Sequence, residues 1–266
     1  MRSLIALLLL CLASSPLTGQ DPVAVEIAAG DSLEAALNPE AAAARYRAAL
    51  ALDSTNYEAL WKAARAVVNV AKQIDSDVKD DALKQRRDGL YAEARALAEA
   101  AIRVNPKGAE GHSTLAQALG RLSRTRGGKE RVRFAKIIYD EAMEAIALDS
   151  TNDPAYHVMG AWNAEVKRLS GMTRFFAKTL YGAGFMDKAN WQDAQRYLIG
   201  AVELNPRNIY HRLELARVYV DVKKYDKARE QLTAVHDLPI GDVLDPKYKN
   251  EAESLLTEIR DKKEYR

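Results

Sequence analysis

A dense run of cations is the first stretch of this sequence with evident chemical potential. Residues 121–136 read RLSRTRGGKERVRFAK and contain seven lysine or arginine residues against Glu130 alone. Such a charge density could bind phosphate, an anionic lipid headgroup or the acidic tail of a partner. The alternative is a solvated loop that pairs with the acidic residues at positions 75, 77, 80 and 81. The candidate anion-binding residues are Arg124, Arg126, Lys129, Arg131 and Arg133.

A second candidate is the stretch 167–188, KRLSGMTRFFAKTLYGAGFMDK, which holds three of the four phenylalanines of the chain. Its apolar residues from 172 to 180 recur at helical spacing and form a one-sided stripe. Two interpretations stay open: the helix could fill the interior as core, or its apolar face could line a pocket for an acyl chain or a partner helix. For the pocket, the candidate residues are Met172, Phe175, Phe176, Leu180 and Phe185.

The remaining reactive side chains form no catalytic or metal-binding pattern. Three of the four histidines, at positions 112, 157 and 211, fall near the starts of successive predicted helices, and no His-Glu-x-x-His spacing occurs. Neither Gly-x-Ser-x-Gly nor a glycine-rich dinucleotide loop is present. We therefore expect a protein that is not an enzyme and that needs no metal and no cofactor.

The first twenty residues resemble a secretory signal peptide. Arg2 is followed by the apolar run LIALLLLCLA and then by SSPLTGQ, with cleavage expected near Gly19 or Gln20. We expect an exported chain, periplasmic or secreted, whose mature form lacks cysteine because Cys11 is the only one. The alternative is an uncleaved segment that anchors the protein to a membrane. A formal net charge of +2 argues against general nucleic-acid binding.

A recurring helix end organises the rest of the chain. The hexapeptide ALDSTN occurs at 51–56 and 147–152, and the related AIRVNP and AVELNP occur at 101–106 and 201–206. Aligned on the alanine that begins each copy, at positions 49, 101, 145 and 201, the motif starts are separated by 52, 44 and 56 residues. In the last unit, Leu215, Ala216 and Tyr219 precede Ala228, at the spacing of a 34-residue unit. This order of small and large residues resembles the tetratricopeptide repeat, a hairpin of helices A and B.

The repeat predicts an all-α solenoid of helical hairpins, about four and a half repeats over residues 39–262. The extra residues of each interval are inserts between helix A and helix B, at 71–88, 124–133 and 167–188. Helices B are expected near 40–52, 86–104, 131–148, 190–204 and 224–237, and helices A near 57–73, 109–122, 154–168 and 208–221. Residues 246–262 are expected to form a capping helix, and residues 21–38 are weakly patterned.

The fold predicts a function in binding, through the concave face that the A helices share. We expect this groove to hold a protein or peptide partner, with Trp61, Tyr156, Trp162, Arg212 and Tyr219 as its candidate residues. The alternative is a carrier of phospholipid or another apolar ligand, in which the 167–188 insert bounds the cavity and the basic run receives the headgroup. A membrane surface is a further conceivable partner.

Three segments resemble the regulator of microtubule dynamics family: LWKAARA at 60–66, AYHVMGAWNAEVKRLS at 155–170 and FFAKTLYG at 175–182. The resemblance covers roughly residues 55–260. It implies a non-enzymatic protein, since members are described as microtubule-associated or, in one animal branch, as organelle-contact tethers whose repeats bind and transfer phospholipid. An exported chain would not meet cytosolic microtubules, so the fold carries over better than the microtubule role.

Overall fold

The computed structural model describes residues 21–264, and all regular secondary structure in that range is helical. The expected signal peptide, residues 1–20, lies outside this range. The helices are α1 Pro22–Ala35, α2 Pro39–Leu52, α3 Tyr57–Ala71, α4 Asp81–Val104, α5 Ala109–Ser123, α6 Gly128–Leu148, α7 Asp153–Arg168, α8 Gly171–Tyr181, α9 Trp191–Leu204, α10 Ile209–Asp221, α11 Tyr225–His236 and α12 Asp245–Glu258, with a short 3-10 helix, Ala183–Lys188, after α8.

Within the described residues the helices pair into five hairpins: α1 with α2, α3 with α4, α5 with α6, α7 with α9, and α10 with α11. The first helix of each hairpin also contacts the first helix of the next, so these A helices form the inner layer. Helix α12 packs on α10 and α11 and covers the last hairpin. The predicted all-α solenoid with inserts and a capping helix is confirmed.

The repeated hexapeptide forms the same turn in both places. Asp53 and Asp149 end α2 and α6, and each accepts hydrogen bonds from the backbone N–H and the hydroxyl of the threonine two residues later. Asn56 and Asn152 then cap α3 and α7 by accepting from the N–H three residues on, at 2.9 and 3.1 Å. The repetition in the sequence therefore marks a repeated helix stop and helix start.

Small residues allow the two helices of a hairpin to approach closely. Gly160 of α7 lies against α9, where an added Cβ would stand 2.4 Å from Cγ of Leu198. In α4 the alanines at positions 94, 98 and 101 are completely buried. A larger side chain at such positions would push the helices apart, which explains why alanine rather than phenylalanine dominates this core.

The weakly patterned segment 21–38 contains a full helix, α1, which supplies helix A of the first hairpin. Asp21 caps it and Pro22 occupies its first turn. Tertiary contacts stabilise it, since the Tyr46 ring lies against Gly30 and its hydroxyl donates to Asp31 at 2.7 Å. This helix completes the half repeat that the sequence pattern left open.

The three inserts adopt different structures. The first two contain connecting loops and extra turns at the starts of α4 and α6. The third forms α8 and the 3-10 helix, with Ser170 as N-cap and Gly182, at φ 66°, ending α8 in the left-handed conformation. Only the third insert therefore adds a separate element, and that element lies beside α6.

The carboxyl-terminal segment contacts the second and third hairpins of the solenoid. Lys72 at the end of α3 pairs with Asp242, in the loop before α12, and Lys247 of α12 pairs with Asp75. Arg121 of α5 donates to the Tyr248 hydroxyl at 3.3 Å. These contacts join residues more than 120 positions apart, so the inner face is bounded at both ends. In the described range, every helix is too short or too polar to cross a bilayer.

Candidate functional site

The inner layer encloses a cavity of about 770 Å³. Helices α3, α5, α7 and α10 form its main walls, and the loop before α12 and Tyr248 of α12 close one end. Residues Phe176, Ala177 and Tyr181 of α8 form part of another wall. The cavity is therefore a property of the whole solenoid, because it needs several successive repeats, the third insert and the carboxyl-terminal closure.

The charge of the cavity lining is predominantly positive. Six lysine and arginine residues line it, against the three carboxylates of Glu165, Asp242 and Asp245. Arg65 and Lys72 are neutralised by Glu34 and Asp242. The other arginines of the lining differ, since in the part of the chain that the structure describes no carboxylate forms an ion pair with Arg124, Arg131 or Arg207. Three solvent-accessible cations thus remain available to an anionic ligand.

An aromatic stack lies at the closed end of the cavity. The rings of Tyr210 and Tyr248 are parallel to within 16°, with centroids 4.4 Å apart. The Arg121 guanidinium lies 5.3 Å from the Tyr210 ring centroid. Burial raises the pKa of Tyr248, so its hydroxyl stays protonated and can donate into the cavity. This stack offers both an apolar surface and hydrogen-bonding groups.

Two histidines form a buried pair in the wall between α7 and α10. Nδ1 of His157 and Nδ1 of His211 are 3.0 Å apart, and Nε2 of His211 lies 2.7 Å from the Asp153 carboxylate. A carboxylate only accepts, so His211 donates from Nε2, and in the neutral pair His157 donates to His211. Burial, helped by the nearby charges of His211 and Arg121, holds the pKa of His157 well below its usual range.

This pair does not resemble a metal centre. Across residues 21–264 no group of three histidine, cysteine or carboxylate side chains is arranged to hold a metal ion. The interaction between His157, His211 and Asp153 instead links successive hairpins. The ring of His157 also lies against that of Tyr210, with centroids 4.6 Å apart and the planes tilted by 38°. The two histidines consequently shape the cavity wall and fix the position of the aromatic stack.

The five groove residues predicted from the sequence are not gathered in one place. Trp162 lines the cavity, and its indole N–H donates to the Ala135 carbonyl at 2.9 Å. The other four lie elsewhere: Trp61 beneath the Arg65 guanidinium, Tyr156 against Tyr197, Tyr219 in the core of the last hairpin, and Arg212 bonded to Gln231 and the Pro206 carbonyl.

The five apolar residues of the third insert lie in different environments. Phe176 of α8 lines the cavity while remaining half exposed, and Phe185 of the 3-10 helix packs toward Trp162 with ring centroids 6.3 Å apart. Met172, Phe175 and Leu180 of α8 are exposed and absent from the lining. The helix therefore neither fills the interior as core nor turns its whole apolar stripe toward the cavity.

The five basic residues predicted to bind an anionic group also lie in different places. Arg124 and Arg131 line the cavity, while Arg126 pairs with Asp88 at 3.1 Å and Arg133 lies 3.7 Å from Glu130. Lys129 is exposed at the start of α6. The acidic stretch proposed as their partner is engaged elsewhere: Asp75 pairs with Lys247, and Asp81 with Lys84.

Sequence reasoning missed several residues of the lining. Arg65 and Asn69 of α3 and Lys72 directly after it recur at intervals of four and three. Gln117 and Arg121 of α5 recur in the same way with Arg124, which was predicted as an anion-binding residue. Polar residues at helical spacing on consecutive A helices were the available signal, because one face of each A helix must point into the groove.

The sequence matches one described protein family and several of its members. The profile of the family described as regulator of microtubule dynamics protein 1-3 matches residues 27–260. Regulator of microtubule dynamics protein 1 of Bos taurus is 26% identical over 79% of this chain and 64% of its own length. Protein 3 of Xenopus laevis is 27% identical over 68% of this chain and 38% of its own length. The chain thus spans less than two thirds of the length of these relatives.

A solved structure supports the same fold. The crystal structure of a thermophilic TPR protein of Thermus thermophilus superimposes with a TM-score of 0.62 at 19% sequence identity. The match covers 88% of this chain and 99% of that one. At this identity the likeness establishes the fold and leaves the ligand open.

Proposed function

This chain belongs to the regulator of microtubule dynamics family, and we propose that it is a non-enzymatic scaffold that binds a segment of a partner protein in its concave cavity. A tetratricopeptide-repeat fold favours protein binding in general. The observation that carries the specific proposal is the cavity of about 770 Å³ whose lining includes the unpaired Arg124, Arg131 and Arg207.

The lining indicates the chemistry of the partner. Unpaired arginines favour carboxylates, which they bind in a bidentate manner, and the Tyr210–Tyr248 stack favours an apolar or aromatic side chain. The partner segment is therefore acidic and carries an apolar anchor. Its anchor packs near the closed end of the cavity, while its carboxylates face Arg124 and Arg131 on the α5–α6 side.

The absence of a catalytic arrangement supports a binding function. Asp153 orients His211 and His211 pairs with His157, but no serine, threonine or cysteine of the described residues hydrogen-bonds to His157. A nucleophile within hydrogen-bond reach of a base is the usual sign of covalent catalysis. The buried histidines of this protein contact each other instead.

Photo-cross-linking in the cells that produce the protein tests the proposal. A photoreactive residue at Val158, in the cavity lining, should cross-link to a defined protein, whereas one at Thr233, exposed on α11, should not. Reversing the charge of Arg124 and Arg131 should reduce the adduct at least tenfold, because the partner would lose its ion pairs.

The matched control reverses Lys129 and Arg133, which lie in the same segment outside the cavity lining. This variant should retain the adduct. Equal cross-linking from Val158 and Thr233, or an adduct that survives charge reversal at Arg124 and Arg131, would contradict the proposal.

A second candidate occupant is a phospholipid or another apolar ligand. The similar proteins give no support for this candidate. Its support is the set of apolar residues in the lining, which includes Phe176 and Met186. Native mass spectrometry of the full chain purified without detergent would detect a bound lipid mass. Loss of that mass in Phe176→Asp, with retention in the exposed control Phe175→Asp, would support the carrier; an apoprotein mass would argue against it.

We also propose that the protein is exported. Arg2, the apolar run after it and the small residues that follow support this assignment. Fractionation of the producing cells, combined with mass spectrometry of the purified amino terminus, tests it. A mature terminus near Asp21 in the exported fraction is expected, and a cell-retained chain beginning at Met1 would contradict export.

A further inference from the structure

Helix α8 carries an unusual concentration of exposed apolar side chains. Among the described residues, eleven large hydrophobic side chains are exposed, and five of them lie on this one helix of 11 residues. Met172, Phe175 and Leu180 are 72%, 63% and 64% exposed. Scattered exposed apolar residues are ordinary, but a contiguous exposed patch on a monomer marks an interaction surface.

The patch borders the cavity. Thr173, Phe176, Ala177 and Tyr181 of α8 line the cavity, while Met172, Phe175 and Leu180 are absent from its lining. Ser170 caps the helix, and Lys178 pairs with Asp187 beyond its end. The helix thus presents Met172, Phe175 and Leu180 to solvent beside the cavity.

The surroundings of the patch are cationic. Helix α8 itself contains Arg174 and Lys178 and no acidic residue. Lys178 forms an ion pair with Asp187, whereas Arg174 has no carboxylate partner among the described residues. The helix that carries the apolar patch therefore also carries a cation that is available to an anionic surface.

We propose that α8 docks this protein onto an anionic membrane surface. Met172, Phe175 and Leu180 enter the boundary between headgroups and acyl chains. Arg174 and Lys178 of the same helix pair with anionic headgroups. An amphipathic helix with bulky apolar residues on one face and cations beside them is the arrangement that binds in the interfacial plane. The charge complementarity favours a bilayer over an apolar protein surface, which would not need the surrounding cations.

Vesicle flotation with the full chain tests this proposal. The protein should float with vesicles of phosphatidylcholine mixed with phosphatidylglycerol and much less with phosphatidylcholine alone. Phe175→Ser combined with Leu180→Ser should reduce flotation at least tenfold. The matched control is Leu52→Ser with Val104→Ser, which removes two exposed apolar side chains at the ends of α2 and α4 and should float like the wild type.

A charge variant and a solution measurement complete the design. Arg174→Glu should weaken flotation on the anionic vesicles severalfold and make the residual binding less sensitive to salt. Failure of the wild type to float on anionic vesicles would overturn the proposal. A dimer detected by light scattering, and abolished by the Phe175 and Leu180 substitutions, would also overturn it by showing that the patch binds a second copy.

Discussion

The buried His157 should make the stability of this protein depend on pH in a defined direction. His157 faces His211, Tyr210 and three arginines at positions 121, 124 and 217, and burial with these charges depresses its pKa. In the unfolded chain the pKa returns to about 6.5. Between these two values the unfolded state binds more protons than the folded state. Stability is therefore full above about pH 6.5 and is lost as the pH falls below it.

The magnitude follows from one proton. A single group that stays neutral in the folded state changes the free energy of unfolding by at most about 1.4 kcal/mol per pH unit. Between pH 7.5 and 5.5, with an unfolded pKa of about 6.5, the loss is on the order of 1 kcal/mol, because protonation of the unfolded chain is slight above that pKa. The melting temperature of a chain of this size should fall by a few degrees.

Urea denaturation at these two pH values measures the effect. His157→Gln keeps an amide that can donate to His211 but cannot titrate, so the variant should show a pH dependence smaller than that of the wild type by on the order of 1 kcal/mol. His236→Gln, at a side chain that is 88% exposed, is the matched control and should follow the wild type. If His157→Gln retains the full pH dependence of the wild type, the reasoning about His157 is wrong.

Three further predictions concern the helices and the closure. Gly160→Ala should destabilise the chain by about 1–3 kcal/mol in thermal denaturation, because the added Cβ would lie 2.4 Å from a leucine atom of α9. The control Gly120→Ala has open space around the added Cβ and should stabilise the chain by roughly 0.5–1 kcal/mol. Asn152→Ala should cost about 1 kcal/mol in urea denaturation through loss of the α7 cap, and an unchanged midpoint would contradict that role. Lys72→Met should leave Asp242 unpaired and speed amide hydrogen exchange across α12 severalfold by mass spectrometry; unaltered exchange there would show that the pair does not hold the closure.

The sequence identified the repeats well because their signals are local. Helix ends are fixed by residues such as Asn56 and Asn152, which act on the backbone within three positions, and the predicted helices agree with the observed bounds to within a few residues. The segment 21–38 lacked such a signal, since α1 is held by Tyr46 and Lys62 of neighbouring helices rather than by its own amphipathic pattern.

The cavity was harder to predict because its extent along each helix and its distant contacts are not local signals. On α3, Trp61 and Arg65 lie on the same face one turn apart, but only Arg65 lines the cavity, so sequence spacing identifies the face and not how far the cavity extends along it. Tyr248 reaches the cavity only because α12 returns to α5, 127 positions away. The spacing in 167–188 predicts one apolar face, but only packing against α6 determines that Phe176 meets the cavity while Met172 and Phe175 meet solvent.

The contacts between α12 and the second and third hairpins have a consequence for evolution and engineering. An open solenoid can grow or shrink by whole units, since each unit contacts only its neighbours. Here Lys72 and Asp75 form ion pairs with residues of the carboxyl-terminal segment. Inserting one more hairpin would move α12 away from its partners and break these ion pairs. The number of repeats is thereby fixed by geometry, and length variation is confined to inserts such as α8.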